Sequence, residues 1–144
     1  LLYDSDSPER NTTTIYEAEN VSSLTQINSG ANNRDGAAIR ALTSRLEEEP
    51  NENKILFLLA DGMPAASDYE AGVYDTSMAI KEATDKGIAV FYFLTKSSAY
   101  MGQGEISSYR DITKFATDSQ VIHDATTIAS AISNVIKGYV INES

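Results

Sequence analysis

The stretch Ile55-Leu56-Phe57-Leu58-Leu59-Ala60-Asp61-Gly62 decides the fold. Its apolar run is too short for a membrane span and suits a strand buried on both faces of a parallel sheet. It ends abruptly in a carboxylate and a glycine. In an open parallel sheet, ligands bind outside the carboxyl ends of the strands, so Asp61 stands where a metal ion or charged group is held. Asp-Gly is also a common way for a chain to leave a strand, and the octapeptide alone leaves both roles open.

Helix and strand alternate on either side of this run. Residues 35–46 predict a helix with Ile39, Leu42 and Leu46 on one face and Asn33 or Asp35 as N-cap. Glu47-Glu48-Glu49-Pro50 ends it; carboxylates there oppose the helix dipole and read as a solvated face. Residues 63–74 form a loop of small and polar residues, long enough to be functional. Asp75 or Thr76 is expected to cap a helix running to Lys86, with Gly87 just past its end. Residues 88–94 make a second continuous apolar strand, which completes a right-handed βαβ unit. A loop with Gly102 and Gly104 then leads to a helix with Ile106, Tyr109, Ile112 and Ala116 on one face. Residues 120–122 predict a short strand, and Asp124 caps a last helix carrying Ile128, Ile132, Val135 and Ile136 up to Gly138.

This order predicts an α/β domain spanning residues 1–144, its sheet mostly parallel and covered by helices on both faces. At the N-terminus, residues 1–3 and 12–18 are expected to pair as an antiparallel hairpin across a polar turn with Pro8.

At 144 residues the chain can bury a sizeable core without staples. It has no cysteine, which removes disulfides, thiolate metal sites and cysteine nucleophiles, and weakly favours a reducing compartment. With 11 basic against 21 acidic residues the net charge is -10. That argues against nucleic acid and anionic membrane as partners, and is compatible with cations or a basic protein surface. There is no signal-peptide pattern, but the first residue is Leu1 rather than methionine, so a piece of a longer protein is expected.

Three polar segments are expected at one edge of the sheet: Asn32-Asn33-Arg34-Asp35-Gly36, Asp61-Gly62, and Ser67-Asp68-Tyr69-Glu70. Sites rich in oxygen donors suit Mg²⁺ or Mn²⁺. For Asn33 and Asp35 a helix cap is as good an account as a ligand role. For residues 67–70 a solvated loop is favoured. His123 is the single histidine and is expected to make a structural hydrogen bond beside Asp124. Neither G-x-G-x-x-G nor a P-loop follows a strand, which leaves dinucleotide and NTP binding without support.

The segment Asn32-Asn33-Arg34-Asp35-Gly36-Ala37-Ala38-Ile39-Arg40, then Ala60-Asp61-Gly62-Met63-Pro64, Tyr74-Asp75-Thr76 and Lys86-Gly87-Ile88 resembles a von Willebrand factor type A domain. More narrowly, it is similar to the bacterial branch found in the nitric oxide reductase activation protein (NorD) and the cobaltochelatase CobT subunit. The resemblance implies a Rossmann-like sheet and a metal ion-dependent adhesion site for Mg²⁺ or Mn²⁺. Asp61 matches the aspartate of the Asp-Gly turn, Asn33 falls where the family usually has threonine, and Asp35 is placed to substitute or assist. The family's Asp-x-Ser-x-Ser segment is not found. Asp4-Ser5-Asp6-Ser7 only imitates it, and the sequence after it reads as a strand instead of a long helix.

The resemblance therefore implies a truncated domain without its first central strand, in which Mg²⁺ or Mn²⁺ binds weakly or not at all. Loss of that strand would leave unpaired edges, so dimerisation, strand exchange or a rearranged hairpin is expected. It further implies a cytoplasmic, non-enzymatic interaction module. Such a module works with a MoxR-type AAA+ ATPase to activate, or insert metal into, a target metalloenzyme. A Mg²⁺-dependent α/β hydrolase or phosphatase using Asp61 is the alternative, weakened by the lack of an evident base and cationic clamp. A cell-surface adhesion domain would share the fold.

Overall fold

The computed structural model describes residues 2–3, 12–13, 35–62, 69–96 and 100–143. Its centre is a three-stranded parallel sheet in the order β3-β4-β5, formed by β3 (Lys54–Ala60), β4 (Ile88–Thr95) and β5 (Asp118–Ile122). Residues Lys54 to Ala60 pair with Ile88 to Leu94, and Phe91 to Thr95 pair with Asp118 to Ile122. The central strand β4 is buried from Ile88 through Leu94, which is why it reads as a continuous apolar run. Four helices accompany the sheet: α1 (Asp35–Glu48), α2 (Tyr69–Asp85), α3 (Gln103–Thr113) and α4 (Ile128–Glu143). This α/β arrangement is compatible with a Rossmann-like fold.

Alternation along the strands divides the core in two. Leu56, Ile88, Val90, Tyr92 and Leu94 face one side, with Ile39 of α1, Val73, Ala79, Ile80 and Ala83 of α2, and Ile112 of α3. Ala89, Phe91, Phe93 and Ile122 face the other, where Ala131 of α4 completes the buried cluster. Consecutive right-handed crossovers between neighbouring strands must put α2 and α3 on the same face. On the α4 face, Phe57 stacks on Phe91 at 5.5 Å between centroids, and Tyr139 meets Phe91 edge-on at 5.8 Å.

Several boundaries differ from the sequence expectations. β1 (Leu2–Tyr3) and β2 (Thr12–Thr13) form an antiparallel ladder of two residue pairs, in a sheet separate from the parallel one. The hairpin expected as part of the main sheet is thus not borne out; so short a ladder has little of its own to hold it. α2 begins at Tyr69, six residues before the expected cap, with Glu70 in its first turn suited to the positive end of the helix. Thr76 consequently spends its hydroxyl inside the helix, donating to the Gly72 carbonyl at 2.9 Å. Gly87 ends α2 as expected, in the left-handed region at φ 79°. Asp124 caps the 3₁₀ turn Ala125–Thr127 that leads into α4, accepting from the Thr126 amide at 2.9 Å. The last helix passes through Gly138.

Among the described residues the outer edge of β3 has no strand partner, and Leu59 is 52% exposed there. Two buried hydroxyls, Thr43 of α1 and Ser77 of α2, have no hydrogen-bond partner among the described residues. An unmet buried polar group is costly, whereas its removal with shape retained is not. Thr43→Val and Ser77→Ala are therefore each expected to raise stability by about 1 kcal/mol. A urea midpoint that falls in either variant would show that the hydroxyl is satisfied in solution.

Candidate carboxylate site at the end of the first parallel strand

The pairing of Ala60 with Leu94 is the last rung of the β3–β4 ladder. Just beyond it the Thr95 hydroxyl donates to the Ala60 carbonyl at 3.0 Å, which fixes the point where the chain leaves the sheet. Asp61 follows immediately and is exposed. α1 lies on the flank with its C-terminal end near the start of β3, where Lys54 Nζ donates to the Glu47 carbonyl at 3.2 Å. Its N-terminal residue Asp35 therefore comes back to the edge that carries Asp61.

The structure places Asp35 and Asp61 at the same edge, close enough for the charge of one to act on the other. Burial of the Asp35 carboxyl, and secondarily the nearby charge of Asp61, push Asp35 above the usual carboxylate range. Two carboxylates in each other's field are a destabilising arrangement that a hard cation relieves. Mg²⁺ is commonly held through one or two carboxylates with water completing its shell, so this pair fits such an ion. Among the described residues no group of three or more acidic, histidine or cysteine side chains is placed to hold a metal. Asn33, the remaining expected ligand, lies outside the described residues, as do Ser67 and Asp68; Tyr69 and Glu70 open α2.

Next to the pair is an arrangement that the sequence did not disclose. Arg40, one helical turn beyond Gly36, donates from Nη1 to Asp75 Oδ1 at 2.8 Å. Its Nε and Nη2 donate to the two oxygens of Glu82 at 2.7 and 3.0 Å. The bond to Arg40 holds the Glu82 carboxyl below its ordinary range, and Glu82 in turn raises the guanidinium. Further along, Lys86 Nζ meets Glu47 at 2.7 Å. The order Gly36–Asp75, Arg40–Glu82, Glu47–Lys86 shows that α1 and α2 run parallel. The sequence segment 32–40 contains Gly36 and Arg40, but nothing in its spacing signals that they meet a carboxylate 35 residues beyond Arg40.

Elsewhere, His123 makes the expected structural contact, its Nδ1 lying 3.0 Å from the Lys96 carbonyl. A carbonyl only accepts, so Nδ1 carries the proton. A cleft of about 470 Å³ opens between β5 and α4, lined by Phe91, Thr117, Gln120, Asn134, Val135 and Tyr139 among others. Thr117 and Phe91 place it toward the beginning of β5, away from the Asp61 end. Among the described residues no helix is long and apolar enough to cross a membrane.

No family model and no solved structure matches the chain. The chain is 41% identical over 76 residues to the uncharacterized protein YojO of Bacillus subtilis, a match covering 51% of this chain and 12% of that protein. It is 44% identical over 61 residues to Protein NorD of Brucella suis, covering 40% of this chain and 10% of NorD. With Protein NorD of Brucella abortus it shares 40% identity over 73 residues, covering 47% of this chain and 12% of NorD. These matches thus span only 10 to 12% of the length of the curated relatives and about half of this chain. The chain is a partial relative of NorD-like proteins.

Proposed function

We propose that this chain is a protein–protein interaction module of a NorD-like protein, built as a von Willebrand A domain. In this view it works with a MoxR-type AAA+ ATPase to activate, or insert metal into, a target metalloenzyme of the nitric oxide reductase kind. The observation that carries the binding role is the juxtaposition of Asp35 and Asp61 at the carboxyl end of β3. The partial identity to Protein NorD supports the choice of family.

Asp61 and Asp35, together with Asn33, would hold Mg²⁺ or Mn²⁺. When bound, the ion supplies an open coordination position for an acidic side chain of a partner. Asp61, being exposed, meets incoming groups, while the half-buried Asp35 braces the site from the start of α1. A binding rather than catalytic role is supported by Arg40, whose guanidinium is committed to Asp75 and Glu82 instead of facing a transferable group.

Calorimetric titration of Mn²⁺ and Mg²⁺ tests the proposal. Wild type should bind one ion weakly, and Asp61→Ala should bind none while melting no lower than wild type without the ion. If wild type takes up no ion at millimolar Mn²⁺, or if Asp61→Ala binds as well as wild type, the cation role is wrong. Hydrolysis of a phosphate ester by wild type, lost in Asp61→Ala, would instead favour the hydrolase.

A further inference from the structure

α1 rests chiefly on α2 and only lightly on β3. The position of its first residue, Asp35, is therefore set by the neighbouring helix more than by the sheet. The contact nearest that end is unusually close. A Cβ on Gly36 would lie 2.1 Å from Asp75 Oδ2 and 3.0 Å from the Asp75 carbonyl oxygen. Gly36 is buried and helical, so the lack of a side chain serves close approach and not backbone freedom. The other oxygen of the same carboxylate, Oδ1, is held by Arg40 at 2.8 Å. Arg40 is anchored in turn by both oxygens of Glu82. Asp75 is thus gripped from both sides by α1: by the bare Cα of Gly36 and by a guanidinium one turn later.

We infer that Asp75 is a positioning residue: clasped between Gly36 and Arg40, it holds the first turn of α1, and with it Asp35, at the edge that carries Asp61. Asp75 touches neither a ligand nor the pair directly in this role. A Cβ at position 36 must either expel the carboxylate from Arg40 or push the start of α1 away from α2. In both cases Asp35 moves relative to Asp61. Supporting residues of this kind typically change metal affinity by roughly 10- to 100-fold when altered. The consequence for cation binding rests on the proposed function above, whereas the placement of α1 does not.

A double-mutant cycle tests the inference with two readouts, amide hydrogen exchange and Mn²⁺ affinity by electron paramagnetic resonance. Gly36→Ala should speed exchange at residues 38–41, whose amides make the first hydrogen bonds of the helix, by about tenfold or more, with residues 43–48 unchanged, and weaken Mn²⁺ by roughly tenfold. In the Asp75→Ala background the contact with the carboxylate is gone and only the 3.0 Å approach to the Asp75 carbonyl remains, so Gly36→Ala should change either readout several-fold less than it does in wild type. Asp75→Asn, which keeps the shape but loses the charge on Arg40, gives an intermediate effect and serves if Gly36→Ala folds poorly. Equal exchange at residues 38–41 in wild type, Gly36→Ala and Asp75→Asn would overturn the inference. So would additive effects in the cycle. If wild type binds no Mn²⁺, the cation proposal fails alone, and exchange still decides the role of Asp75.

Discussion

Replacing Ile80 by alanine is expected to lower stability by about 4 kcal/mol, near the upper part of the range for buried aliphatic truncations. Ile80 is fully buried at the middle of α2, where the helix lies on the sheet face formed by Leu56, Val90, Tyr92 and Leu94. Its helical neighbours on that face are Ala83, Ser77 and Thr76, all small and all buried. Small neighbours bring α2 close to the strands but leave no long side chain to swing into a cavity, so the void would persist. Domains of this size are stable by roughly 5–15 kcal/mol, which makes such a loss a large fraction of the total. Urea unfolding should show a lower midpoint with an unchanged slope. Ile136→Ala on α4, where the side chain is 37% exposed, should cost well under half as much. Equal losses at the two positions would mean that α2 is not the helix on which the core is built.

Asp35→Asn should separate stability from binding, raising the first by about 1 kcal/mol at neutral pH while removing most of the second. The sign follows from the raised pKa of Asp35. A carboxyl whose folded value exceeds its unfolded one contributes stability that is fully present below the unfolded value and lost as pH rises through the folded one. Starting from the ordinary value of 3.8, wild type should therefore lose ground relative to Asp35→Asn as pH increases, until Asp35 is fully ionised. Urea midpoints of both proteins between pH 3.5 and 7.5 would display this as a widening and then constant gap. A divalent cation should reverse it. At an ion concentration 100 times the dissociation constant, wild type gains about 2.7 kcal/mol and the variant little. Parallel midpoint curves without the ion would show that neither burial nor the charge of Asp61 holds Asp35 above its ordinary range. A gain from the ion that is equal in both proteins would place the ion elsewhere.

The sheet and most helices were legible because burial leaves a periodic mark. β3 occupies Lys54–Ala60, but the burial on both faces expected of its apolar run is not met, since only Leu56 is buried in this edge strand; β4 exceeds its expected end by one residue, Thr95. Ile39 and Ile112 are buried in the core, as their helical spacing implies. The start of α2 was less legible. Asp75 and Thr76 have the residue types of a cap, and the turn before them is rich in small residues that suit helix and loop alike. Tertiary packing resolves the ambiguity, for Val73 is buried against the core and draws the preceding turn into the helix. The position of Asp61 at the carboxyl edge of the sheet was legible because topology alone places it there. Its coupling to Asp35 could be suspected from the shared edge, but the clasp of Asp75 by Gly36 and Arg40 is a contact between distant segments that no local pattern encodes.

The parallel course of α1 and α2 has an electrical meaning. α2 follows β3 and α3 follows β4, so their N-termini, like that of α1, point to the edge where Asp61 emerges. Glu105 in the first turn of α3 pairs with Lys96 and accepts from the Gly102 amide at 2.9 Å, which shows that end already drawing in a carboxylate. Each helix presents roughly half a positive charge there, about 1.5 charges in all, which act on Asp35 and Asp61 and also on Glu70 and the Lys96-paired Glu105 in the first turns of α2 and α3. The molecule is thus a strongly acidic body, of net charge -10, that gathers the positive ends of three helices on one rim. For the acidic partner proposed above, the overall charge would oppose approach and the helix ends would favour that rim, so the same charge that slows its arrival would also orient it.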